Sequence, residues 1–196
     1  GAVNIAVRGR FETWVGIMVP WGAPFVLFGA PAEVKEAAFR LHRVGYDQPA
    51  GVVTGGVEAW AKAGLPTQTV RLVAPAALYQ QMQDGTAPVI VDVRLPAEWM
   101  GLRIGNVLNL PLNQLEREAR RLDPSMPVLM VCNSAYRSSM AAGVMQRLGF
   151  KDVRNLDGGS EAWIAAGLPT LGAQAQSPAA VPGVFVNLPE RLAPET

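Results

Sequence analysis

Short continuous apolar runs alternate with longer amphipathic stretches along this chain. Phe25-Val26-Leu27-Phe28, Val89-Ile90-Val91-Asp92-Val93, Val128-Leu129-Met130-Val131 and Val153-Arg154-Asn155-Leu156 are too short for helices, and each is flanked by Pro, Gly or Asp. They predict strands. Their mostly unalternating character is that of parallel strands covered on both faces. Between them lie helical stretches. Ala74 to Met82 and Leu115 to Leu122 are amphipathic, and Ser138 to Leu148 ends at Gly149, a C-terminal stop. Gly159 to Ala166 ends at Gly167. Pro31 with Glu33 and Glu36 predicts a helix through Phe39 that begins with proline and early acids. The alternation predicts an α/β fold, a parallel sheet flanked by helices. Trp14 to Ala30 is apolar but broken by Pro20, Pro24 and glycines; it reads as a loop entering a buried strand, Phe25 to Phe28. It is too interrupted to span a membrane. Thr67 to Val73 reads as a linker.

The chain echoes itself. Gly55-Gly56-Val57-Glu58-Ala59-Trp60, ending in Gly64-Leu65-Pro66-Thr67, matches Gly158-Gly159-Ser160-Glu161-Ala162-Trp163, ending in Gly167-Leu168-Pro169-Thr170. Arg40 to Asp47 matches Val144 to Lys151, and Gly1 to Ile5 matches Asn106 to Leu110. The matching tryptophans, Trp60 and Trp163, are expected to anchor cores. Laid on the second copy, Phe28 falls at the position of Cys132, and no arginine stands near the following helix start. The first copy is therefore read as partial and catalytically inactive.

Cys132 is the one cysteine of the chain. The predicted strand before it and helix after it put the thiol at the C-terminal end of a strand, where parallel sheets bind ligands. A loop this short can curl around the sulfur, with backbone N–H groups and a helix N-terminus pointing inward as an anion-binding concavity. Such a setting favours the thiolate, which is the nucleophile. Arg137 closes the loop with a permanent charge and a donor fork suited to a sulfonate-like or phosphate-like group. A lone cysteine is by default a small buried hydrophobe. The order strand, cysteine, loop, arginine, helix marks Cys132 and Arg137 as catalytic candidates. Asn133, Ser134, Ala135, Tyr136 and Ser138 are the candidate substrate-binding positions. Asp92, Arg94 and Glu98 are read as structural support, an ion-pair and hydrogen-bond network beneath the loop.

Residues 73–170 resemble a rhodanese domain, the sulfurtransferase fold. Asp92-Val93-Arg94 with Glu98-Trp99, the segment Arg103 to Pro111, the loop Cys132-Asn133-Ser134-Ala135-Tyr136-Arg137-Ser138 and the closing Leu156-Asp157-Gly158-Gly159 with Ala162-Trp163 carry the likeness. Arg103, Gly105 and Asn106 stand where the family has His, Pro and Gly, and Ala135 holds a loop position that is often Gly. The resemblance implies a tandem: a partial, inactive unit over 1–67, a complete domain over 73–170 and a Pro/Ala-rich tail over 171–196. It implies transfer of a sulfane sulfur from thiosulfate or a persulfide to a thiol or cyanide through a Cys132 persulfide. Tandem units with this loop also resemble the C-terminal part of fusions to a metallo-β-lactamase-like hydrolase. The alternative function is therefore a regulatory or sulfur-delivery module of such a persulfide-processing enzyme, with the hydrolase upstream and this chain a piece of a longer protein. A cysteine-loop phosphatase is disfavoured, because only four residues separate Cys132 from Arg137; the smaller ring suits a sulfur atom.

Composition narrows the rest. Apolar content of 49% supports a core, and a formal charge of +1 gives no field for nucleic acid. One cysteine precludes an internal disulfide, which fits a reducing, cytoplasmic setting. The expected partners are the small sulfur donor and a thiol acceptor, with no nucleic acid or membrane, and a homodimer left open. No cofactor and no metal are expected: His42, the one histidine, lacks companion ligands.

Overall fold

The computed structural model describes residues 2–47 and 49–173. They form two compact units, residues 5–69 and residues 70–173 with 2–4.

In the smaller unit, α1 (Phe11–Met18), β1 (Val26–Leu27), α2 (Pro31–His42), β2 (Gly51–Val52) and α3 (Gly56–Lys62) follow in order. Phe11–Met18 is a helix where a loop was expected. Phe11, Val15 and Met18 share one helical face, and Phe11 and Val15 pack with Ala37, Leu41 and Tyr46. Pro20 comes only after that helix has ended. Proline does open α2 as expected. The strand at Phe25 to Phe28 shrinks to Val26–Leu27 and is not buried: Val26 is 54% and Phe28 44% exposed. Its sheet has only β1 and β2, paired in parallel, and two strands cannot cover both faces. His42 is a surface residue, its Nδ1 2.9 Å from Asp47.

The larger unit runs β3 (Arg71–Val73), α4 (Pro75–Gln83), β4 (Val89–Asp92), α5 (Pro96–Gly101), β5 (Leu108–Asn109), α6 (Leu115–Glu118), β6 (Val128–Val131), α7 (Tyr136–Arg147), β7 (Val153–Leu156) and α8 (Gly159–Ala165). The strands build one parallel sheet in the order β3-β7-β6-β4-β5. The apolar runs of β4 and β6 are its buried centre. Ile90, Leu129 and Val131 of one face join Leu78, Met82, Ile104 and Trp163 in the core, and Val89, Val91, Val128 and Met130 of the other face are buried as well. The expected linker differs: Arg71–Val73 is an edge strand on β7, with only Val73 buried. The helix expected through Leu122 is α6 followed by a 3-10 turn, Ala119–Arg121, ahead of Pro124, which disfavours helical geometry at the residue before it.

The expected domain limits also shift. Residues 2–4 group with the larger unit, not with the partial one. The Ala2 carbonyl comes so close to Gly143 of α7 that a Cβ there would overlap it. Leu171, assigned to the tail, pairs antiparallel with Arg103 through 2.7 and 2.8 Å backbone bonds. The remainder of that tail, 174–196, lies outside the described residues.

The sequence echo has a geometric counterpart. Trp60 Nε1 donates to the Pro66 carbonyl at 3.0 Å, and Trp163 Nε1 to that of Pro169 at 2.9 Å. Both glycine pairs, Gly55-Gly56 and Gly158-Gly159, are left-handed. Burial separates the copies. Trp163 is fully buried, edge-on to Tyr79 of α4. Trp60 is only half-buried and is no core anchor, because α3 has no buried residue. Trp163→Ala is expected to cost about 3–5 kcal/mol, and Trp60→Ala under about half of that although the same hydrogen bond is lost. Urea unfolding of the two variants checks this.

Candidate active site

β6 delivers Cys132 to the C-terminal edge of the sheet, flanked by β4 and β7. The thiol is 1% exposed. The chain then turns through Asn133, Ser134 and Ala135 into α7. The helix starts two residues before the expected Ser138, because Ala135 takes the turn itself at φ +63°, the one left-handed non-glycine among the described residues. That conformation costs an L-residue with a Cβ roughly 1–2 kcal/mol, and loops at functional sites are where such strain is retained. The Ser138 N–H, at the first turn of α7, points at Cys132 Sγ from 3.4 Å, and the Ser138 hydroxyl lies 3.3 Å from it. Ser138 is completely buried. It serves the sulfur rather than a ligand in solvent.

The far side of the loop is tied down by α8. The Ser160 N–H donates to the Cys132 carbonyl at 2.8 Å and the Glu161 N–H to the Asn133 carbonyl at 2.9 Å. A Cβ at Gly159 would overlap both carbonyls, so the close approach demands glycine. With its carbonyls drawn toward α8, this part of the loop leaves the sulfur to the N–H side.

Beneath the loop, Arg94 and Asp92 form a buried pair. Arg94 Nη2 lies 2.6 Å and Nε 3.0 Å from the Asp92 carboxylate. Arg94 also donates to Asn133 Oδ1 at 3.1 Å and to the Leu102 carbonyl at 2.7 Å. Above it, Arg137 Nη1 and Nη2 each lie 2.7 Å from an oxygen of Glu98. Glu98 is held in turn by the Leu95 N–H at 3.2 Å and the Asn133 amide at 3.4 Å. Its carboxyl sits below the ordinary glutamate range because Arg137 hydrogen-bonds to it; partial burial opposes the shift. The same pair raises Arg137.

The structure thus gathers Cys132, Arg137, Ser138, Asp92, Arg94 and Glu98. It places the five loop candidates differently from one another. Asn133 faces inward, shared among Arg94, Glu98 and the Ser160 hydroxyl at 3.3 Å. Ser134 is exposed, and Ala135 and Tyr136 are half-buried. Sequence reasoning missed Asn109, whose amide donates to the carbonyls of Asp92 and Arg94 at 3.0 and 2.8 Å, and Ser160. Both lie in the motif segments quoted above, which was the available signal. In the smaller unit Phe28 follows β1, and its ring packs edge-on against Trp60. Among the described residues no group of three His, Cys, Asp or Glu could hold a metal, and no helix is long and apolar enough to cross a membrane.

The rhodanese-like domain family matches residues 74–166. A sulfurtransferase of Allochromatium vinosum is 33% identical over 92 residues, 47% of this chain and 86% of that protein. The thiosulfate sulfurtransferase GlpE of Pseudomonas fluorescens is 36% identical over 75 residues, 38% of this chain and 69% of its own length. A rhodanese-related protein from Thermoplasma volcanium aligns in structure with a TM-score of 0.47 at 28% identity, over 52% of this chain and 97% of that one. Of three other curated relatives the match spans 58%, 47% and 59% of the length.

Two outcomes are expected. Ala135→Gly relieves the left-handed strain and raises stability by about 1 kcal/mol, read as a higher denaturation midpoint. The Glu98–Arg137 pair gives an acid dependence. The folded carboxyl is held below its ordinary value by Arg137, so its stabilisation is present above the ordinary value and is lost as pH falls through the lower folded one. Glu98→Gln therefore flattens the decline in urea midpoint that wild type shows on acidification below about pH 4.5.

Proposed function

Because the chain belongs to the rhodanese-like family, we propose that it moves a sulfane sulfur from thiosulfate or a persulfide to a thiol or cyanide through a persulfide on Cys132. The observation that carries the reading is the Cys132 sulfur, sealed under the loop and met by the Ser138 N–H and hydroxyl.

In the first half-reaction the Cys132 thiolate attacks the outer sulfur of the donor. A new S–S bond forms, the donor's own S–S bond breaks, and its electron pair leaves with sulfite or with a thiolate. In the second, an acceptor thiolate or cyanide attacks the outer sulfur of the Cys132 persulfide. The persulfide bond breaks and the electron pair returns to Cys132. Charge is conserved in each step. Two such steps give ping-pong kinetics. The Ser138 N–H and hydroxyl stabilise the cysteine sulfur in its anionic form, and α8 keeps the loop in the shape that presents them.

The smaller unit fits a non-catalytic repeat of the same architecture. Its glycine pair and tryptophan hydrogen bond reproduce those of the larger unit, and Phe28, which follows β1, is the residue that the sequence echo aligns with Cys132. This is compatible with a second reading, a regulatory or sulfur-delivery module of a larger metallo-β-lactamase-like persulfide-processing enzyme.

Cys132→Ser is expected to abolish sulfur transfer from thiosulfate to cyanide. Intact-mass spectrometry of wild type after incubation with donor is expected to show one added sulfur atom, removed by reductant. Transfer by the serine variant at the wild-type rate would exclude the covalent route.

A further inference from the structure

We infer that Glu98 sets the charge of the donor, so that the site takes an organic hydrodisulfide in preference to the thiosulfate dianion. The inference rests on the sulfur-transfer reading.

Each guanidinium at the loop is already matched. Arg94 is spent on Asp92, Asn133 and the Leu102 carbonyl. Arg137, the residue otherwise placed to receive a sulfonate, has both terminal nitrogens on the Glu98 carboxylate. That carboxylate cannot simply swing away, because the Leu95 N–H and the Asn133 amide hold it on other sides. Two arginines and two carboxylates sum to zero before the cysteine ionises. A thiosulfate dianion approaching the Cys132 thiolate therefore meets a site without net positive charge, and it competes with Glu98 for Arg137. A hydrodisulfide, neutral when protonated and singly charged at the reacting sulfur otherwise, needs far less from Arg137. Glu98 is a carboxylate at neutral pH, and its hydrogen bonds with Arg137 favour that charged form further.

The test is a ratio measured within one preparation, so any loss of folded protein cancels. The initial rate at which Cys132 gains one sulfur is read by intact mass in single turnover, with thiosulfate and with cysteine hydropersulfide as donors. Wild type is expected to load faster from the hydropersulfide. In Glu98→Gln the thiosulfate rate is expected to rise about tenfold relative to the hydropersulfide rate, the scale of removing one charge a few ångströms from a dianion in a partly solvated site. Glu98→Asp, which keeps the charge, is expected to keep the wild-type ratio. An unchanged ratio in Glu98→Gln, or the same shift in Glu98→Asp, overturns the role given to Glu98 and leaves sulfur transfer standing. Wild type that loads from neither donor overturns the sulfur-transfer reading, and this inference with it.

Discussion

Everything at the active end of the larger unit hangs on one buried guanidinium. Arg94 sits at the end of β4, 4% exposed, with Asp92 completely buried beside it. Two charges taken out of water need excellent geometry and further partners. Here the partners are the Asn133 side chain of the cysteine loop and the Leu102 carbonyl beyond α5. Asn109, at the end of β5, donates to the backbone carbonyls of both members of the pair. A single ion pair thus fixes β4, β5, the exit of α5 and the start of the loop in one arrangement. Removing one member of such a pair typically costs about 3–5 kcal/mol, because the other is left buried and uncompensated.

The two ion pairs divide the labour. Arg94–Asp92 is dry and positions the loop from below. Arg137–Glu98 is wetter, with side chains 17% and 32% exposed, and faces the ligand side. Asn133 touches both, through Arg94 with its oxygen and Glu98 with its nitrogen. A residue that looked like a specificity position is therefore a coupling between scaffold and site.

Much of this was legible in the sequence, and the reasons differ by element. β6 and β7 fell where their apolar runs put them, since a fully buried strand has little freedom in register. The position of Cys132 at a strand end followed from strand and helix order alone, whereas Arg137 lies within the first turn of α7 and not at the end of the loop. The Gly158-Gly159 pair stood out in the sequence as part of the repeated segment, and Gly159 lies against the Cys132 and Asn133 carbonyls. The losses came where burial depends on what lies opposite. Val26 and Phe28 have core-like chemistry but no third strand to cover them. Phe11–Met18 carried helical spacing that the neighbouring prolines obscured. The inward turn of Asn133 could not be read, because an asparagine's partners are set by Arg94, thirty-nine residues away in sequence.

The paired left-handed glycines occur twice, Gly159 against the Cys132 carbonyl and Gly56 against the Gly29 carbonyl. The smaller unit makes this turn, and ties Trp60 to the Pro66 carbonyl behind it, although it has no cysteine. The turn is therefore an architectural element of the fold, older in logic than the chemistry that uses it. In the larger unit it meets only the backbone of Cys132 and Asn133, so an exchange of the side chain at position 132 leaves every one of those contacts in place.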